Sequence, residues 1–74
     1  MNDSNKVRKR AAEMATSLIS EGYRKTIDVT LPQSCFMKLR HRHNGSIITL
    51  VGNYRLSEIK LFRDGRLRHT EPVQ

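Results

Sequence analysis

The chain has 74 residues, a single cysteine, no tryptophan and a formal net charge of +7, from 14 Lys+Arg against 7 Asp+Glu. Such a length allows one domain, expected to span 1–74 with frayed ends near 1–4 and 71–74. A lone thiol excludes an intrachain disulfide scaffold, and the apolar runs fall far short of the ~20 residues a membrane helix needs. The basic N-terminus lacks the apolar stretch of a signal peptide, so the expected setting is the cytoplasm, with no membrane partner.

From the N-terminus, Asp3 and Ser4 are suitable helix caps. Val7, Ala11, Met14, Ala15 and Leu18 recur at helical spacing with Ile19 beside them, and Gly22 supplies a stop. The pattern predicts an amphipathic helix over about 5–21. Lys6, Arg8, Lys9 and Arg10 crowd its first turns, where the macrodipole is positive and prefers acids. An external anion would offset them; a solvated basic face accounts for them equally well.

Beyond Gly22 the period changes to two. Ile27, Val29 and Leu31 alternate with Thr26, Asp28 and Thr30, the signature of a half-buried strand, and Pro32 ends it. Residues 35–43 fit both helix and strand. Asn44-Gly45 favours a strand, because that dipeptide between apolar runs is a strong hairpin signal. Ser46 to Gly52, rich in β-branched residues (Ile47, Ile48, Thr49, Val51), reads as a strand and completes the hairpin.

A two-residue turn there would pair His43 with Ser46, His41 with Ile48, Leu39 with Leu50 and Met37 with Gly52. The opposite face would then set Arg42 against Ile47, Arg40 against Thr49, Lys38 against Val51 and Phe36 against Asn53. Asp64-Gly65 repeats the hairpin signal between 59–63 and 66–70. Leu56, Ile59 and Phe62 also lie at helical spacing, so 56–63 is open between strand and helix, with strand favoured. The expected fold is α+β: an N-terminal amphipathic helix packed on a small antiparallel β-sheet of four to five strands built from hairpins.

Charge distribution carries the functional expectation. No acidic residue occurs between Val29 and Ser57, a window holding Lys38, Arg40, Arg42 and Arg55. Phosphate contacts release condensed counterions, so a basic chain has salt-sensitive affinity for nucleic acid, DNA or RNA. The candidate binding residues are Arg8, Lys9 and Arg10 at the helix start, and Phe36, Lys38, Arg40 and Arg42 along the second strand. Arg66 and Arg68 near the C-terminus join them. Cations at a period of two can track a backbone, and an aromatic in line with them offers a stacking surface.

Catalytic and metal signatures are incomplete. Cys35 with His41, His43 or His69 is the one conceivable nucleophile pair, but on the strand reading Cys35 points inward as a core filler. His41 and His43 share a strand face, yet the ligand spacing of a structural zinc site is missing. The chain is therefore expected to be a small basic non-catalytic nucleic-acid-binding protein, regulatory or architectural, with no cofactor and no metal. A homodimer would cover apolar surface that so short a core leaves open. The alternative is an inhibitor or adaptor module docking on an acidic partner protein.

Lys25 to Leu39, read as strand, Leu-Pro, then helix, resembles the opening of ribbon-helix-helix repressors. The resemblance implies that Thr26, Asp28 and Thr30 would enter the DNA major groove from a two-chain ribbon. It covers about fifteen residues and fails downstream, where a second long helix is needed and Ile47 to Gly52 stands instead.

Overall fold

The computed structural model describes residues 3–74; Met1, Asn2 and the side chain of Asp3, one of the two expected caps, lie outside the described part. Helix α1 (Asp3–Ser20) is followed by five strands, β1 (Tyr23–Thr30), β2 (Ser34–His41), β3 (Ile47–Asn53), β4 (Glu58–Arg63) and β5 (Arg66–Pro72). The strands form one antiparallel meander in the order β1-β2-β3-β4-β5. This is the α+β arrangement expected from the sequence, and of the stretches 35–43 and 56–63, open between strand and helix, 35–41 and 58–63 are strand and the remaining residues turn. The strand-then-helix order of ribbon-helix-helix proteins is not formed, because the chain returns after Pro32 as β2. Leu31 N–H donates to Ser34 C=O at 2.8 Å and closes that reversal.

The helix lies across β1 to β4. Its stripe of Val7, Ala11 and Ala15 is buried, with Met14 and Leu18 partly covered, against Tyr23, Cys35, Met37, Leu39, Ile48, Leu50, Tyr54 and Ile59. Leu39, Leu50, Ile59 and Val7 are the largest side chains fully removed from water, and each contributes about 1.5–3 kcal/mol by burial. Small residues let the two layers approach: Val7 seats on Gly52, where a Cβ would lie 2.6 Å from Val7 Cγ1 and 2.8 Å from Cys35 Sγ. Tyr54 Oη is buried without a hydrogen-bond partner among the described residues. Its polar neighbour is the Cys35 thiol, which does not meet hydrogen-bond geometry, and burial pushes the phenol above its ordinary pKa.

The β2–β3 register differs from the expected one by two residues. Leu39 pairs with Ile48, Met37 with Leu50, Cys35 with Gly52 and Arg40 with Ile47. A shift of two leaves every side chain on its expected face. The cause is His41, whose Nδ1 accepts from the amides of His43 (3.2 Å) and Asn44 (3.3 Å). Residues 42–46 thereby become a wider loop, in which Asn44 Oδ1 accepts from Ser46 N at 2.8 Å. Asp64-Gly65 does form the two-residue turn, with φ of 51° and 84° and Arg63 opposite Arg66.

Of the C-terminal segment 71–74, where fraying is expected, residues 71–73 make hydrogen bonds to the rest of the chain. β5 runs to Pro72, Val73 N–H donates to Ser57 C=O at 2.8 Å, and Ser57 Oγ donates to Val73 C=O at 2.9 Å. Glu71 is also clamped to the helix by Arg10, which docks the strand end.

Candidate functional site

Residues paired across neighbouring strands share a sheet face, so the registers define which side chains stand together. On the face away from α1 one row runs Ile27, Lys38, Thr49, Phe62 and Leu67. The next runs Val29, Phe36, Val51, Lys60 and Thr70. A third, at the β2–β3 loop end, holds Arg24, Arg40 and Ile47. Strand spacing and rise put Phe36 and Phe62, two strands apart and two residues offset, roughly 12 Å from each other.

The aromatic residues are distributed against their polarity. Tyr23 and Tyr54 lie in the core at 8% and 9% exposure, whereas both phenylalanines, Phe36 and Phe62, stand half-buried on the open face. Phenylalanine has no polar atom and is ordinarily the better core residue. The helix leaves Phe36 uncovered for a geometric reason: α1 packs on the face of Cys35, Met37 and Leu39. Around the two rings Ile27, Ile47 and Leu67 are 40%, 41% and 52% exposed.

Arg24, Lys38, Arg40 and Lys60 supply the charge on this face; the carboxylates at its two ends are Glu58, beside Asn53 and Pro72, and Asp64, whose Oδ1 accepts from Ile47 N–H at 2.9 Å. Among the described residues, none of these four cations makes an ion pair or a side-chain hydrogen bond. Arg24 and Arg40 are exposed and Lys38 and Lys60 half-buried, all beside apolar and aromatic surface.

Arg42, expected to continue the basic strand, stands instead in the wider loop, where its N–H donates to Gly22 C=O at 2.9 Å. His41 braces that loop. Because Nδ1 accepts two backbone amides, its proton resides on Nε2, which donates to Glu21 C=O at 3.2 Å. The ring also meets Tyr23 edge-on, with centroids 4.9 Å apart. His43 lies near, at 5.8 Å between ring centroids, while His69 is on β5 beside Glu71. Cys35 is in the core, apart from the three histidines.

The helix cations occupy the other layer of the molecule. Arg8 hydrogen-bonds Asn5 Oδ1 at 2.6 Å, Lys9 is exposed, and Arg10 binds Glu71 through Nε at 2.7 Å and Nη2 at 3.3 Å. The Glu71 hydrogen bonds raise the Arg10 pKa, and Arg10 in turn holds the Glu71 carboxyl below its usual range. Arg10 is thus a strut between α1 and β5. Arg66 is exposed opposite Arg63 at the Asp64-Gly65 turn, and Arg68 occupies the unpaired position of a bulge in β5. The candidate residues are therefore dispersed: Arg8, Lys9 and Arg10 lie on the helix, Phe36, Lys38 and Arg40 together on the open face, Arg42 in the β2–β3 loop, and Arg66 and Arg68 on β5.

Three members of the open face lie outside the residues singled out by sequence. Lys60 and Phe62 alternate with Ile59 and Leu61, a period-two signal obscured by the competing helical spacing of 56–62. Arg24 joins Arg40 because Thr26 is an unpaired bulge residue, and a bulge changes which face the preceding residues present. No protein-family model, curated protein or solved structure matches this chain, and no helix among the described residues is long and apolar enough to cross a membrane.

Proposed function

We propose that the open sheet face binds single-stranded nucleic acid without catalysis, in a regulatory or architectural role in the cytoplasm. The observation that carries this reading is the placement of Phe36 and Phe62 outside the core, in rows that also hold Lys38, Lys60 and the adjacent Arg40. Aromatic faces stack unpaired bases at about 1–3 kcal/mol per base, and flanking cations neutralise the backbone. A duplex hides its base faces, so it would meet the cations alone.

A symmetric face-to-face dimer would cover the same apolar surface, but it would bring Lys38, Arg40 and Lys60 of one copy toward those of the other. Like charges across an interface oppose association. An acidic protein partner would satisfy the cations but leave the two rings unexplained. The sole thiol, Cys35, is buried at 4% exposure, which favours binding over nucleophilic chemistry.

Fluorescence titrations with single-stranded DNA, single-stranded RNA and duplex of equal length across a salt series test the proposal. Single strands are expected to bind more tightly than duplex, with affinity falling steeply as salt rises. Equal affinity for duplex and single strands would mean that charge alone acts and would remove the stacking role. No binding at low salt would remove nucleic acid altogether.

A further inference from the structure

At the loop end of the open face, β1 and β2 place Arg24 directly opposite Arg40. Like charges in directly opposed cross-strand positions destabilise a sheet. A third guanidinium, Arg42, joins them around an open depression of about 550 Å³ whose walls also include Thr26, His43 and Gly45. Among the described residues, no carboxylate lines it. Among the described residues, none of the three arginines has an ion-pair or side-chain hydrogen-bond partner. Elsewhere acids are at hand: Arg10 has Glu71 and Glu13, and Lys25 has Asp28.

Resting on the reading of the open face as a single-strand platform, we propose that this depression receives the terminal phosphate monoester of the bound strand. Charge density selects that group. An internal phosphodiester carries one negative charge, and the rows holding Lys38 and Lys60 present one cation each to it. A phosphate monoester carries about −1.5 to −2 at neutral pH and three strong acceptor oxygens. Three guanidiniums, each a planar fork of donors, match that group better than they match a diester.

The loop amides are not the donors. Those of His43 and Asn44 point to His41 Nδ1, and Gly45 N–H donates to His41 C=O. Recognition therefore falls to side chains, and it is separable by mutation from the fold of the loop.

The test uses the full chain and three oligonucleotides identical except for a 5′-phosphate, a 3′-phosphate or hydroxyls at both ends. One phosphorylated form is expected to bind about tenfold more tightly than the hydroxyl form, from two or more additional charge-assisted hydrogen bonds. In Arg24→Gln/Arg42→Gln that advantage disappears and all three oligonucleotides bind alike, whereas Lys38→Gln/Lys60→Gln weakens all three and keeps the ratio between them. Arg24→Lys/Arg42→Lys, which keeps charge but loses the forks, should retain part of the preference and serves as the folding control beside circular dichroism. Equal affinity of the parent for all three oligonucleotides overturns the pocket while leaving the platform standing. Failure to bind any of them overturns the platform and the pocket together. A mononucleotide 5′-phosphate that binds as tightly as the phosphorylated strand overturns the strand-end assignment, because the ligand would then be a small phosphate monoester.

Discussion

His41 Nε2 lies 2.9 Å from the point that a Cβ on Gly22 would occupy, so the helix stop and the β2–β3 loop are built against each other. The same ring bonds Glu21 C=O, and the next residue, Arg42, bonds Gly22 C=O. A helix terminus and a hairpin loop distant in sequence thus share one joint, and the arginine depression sits on it.

Gly22→Ala should therefore cost more than a routine helix stop would. Its φ of 105° is disfavoured for any L-residue, and the added methyl displaces His41 from its three hydrogen bonds. A loss of about 1–3 kcal/mol is expected. Gly45→Ala is the comparison: at φ 74° its Cβ meets only Arg40 Nη2, at 3.8 Å, the movable end of a long side chain. Urea denaturation should place Gly22→Ala clearly below Gly45→Ala; the reverse order would mean that the His41 joint contributes little.

Gly52→Ala tests the seating of the helix. The new methyl falls at 2.6 Å from Val7 and 2.8 Å from Cys35, well inside contact distance, so α1 or the sheet must shift. Overpacking of this kind costs about 1–3 kcal/mol. Val7→Ala in the same chain removes the closer of the two contacts, so the double variant should be more stable than the sum of the two single losses predicts. Strict additivity in thermal melts would show that Val7 and residue 52 do not touch.

The general architecture was legible because its signals are local. The helix stripe, the break at Pro32 and the Asp64-Gly65 turn each rest on residues within a few positions of one another. The β2–β3 register was not, because a side chain replaced the turn: nothing in Asn44-Gly45 announces that His41 will take up the amides of residues 43 and 44. Parity survived a slip of two, so Phe36, Lys38 and Arg40 were correctly grouped. What could not be read is which face of β1 lies under α1, since Ile27 and Val29 have the apolar alternation of a core strand yet stand on the open side. Arg10 looked like a free binding cation because its partner, Glu71, is 61 residues away.

That Arg10–Glu71 clamp gives a pH prediction. Hydrogen bonds from Arg10 depress the Glu71 carboxyl, aided by His69 and opposed by partial burial. A carboxyl depressed by folding contributes stability above its unfolded pKa of about 4.3 and loses it as pH falls through the folded value. At neutral pH Glu71→Gln should cost no more than about 1 kcal/mol, since Arg10 is 42% exposed and the pair is screened. Melting temperatures of parent and variant should converge as pH drops below about 4. Parallel curves down to pH 2 would show that the pair does not stabilise the docking of β5.

The last prediction separates the two layers as binding surfaces and the rings from the charges. Lys38→Gln/Arg40→Gln/Lys60→Gln removes three cations from the open face, while Lys6→Gln/Arg8→Gln/Lys9→Gln removes three from the helix and spares the structural Arg10. Both triples lower net charge equally, so a response to overall charge alone would make them alike. If the open face carries the strand, the first triple weakens binding more. It should also flatten the dependence of log K on log salt by about 0.7 for each phosphate that is no longer neutralised. Phe36→Leu and Phe62→Leu complete the test, because leucine keeps apolar cover on the sheet while removing the ring. Each should weaken single-strand binding by up to about 1–3 kcal/mol with little change in salt slope, since no charge is altered. Duplex affinity should stay the same in both. Should the helix triple do the damage while both leucine variants bind as the parent does, the strand lies along α1 and the open face has another purpose.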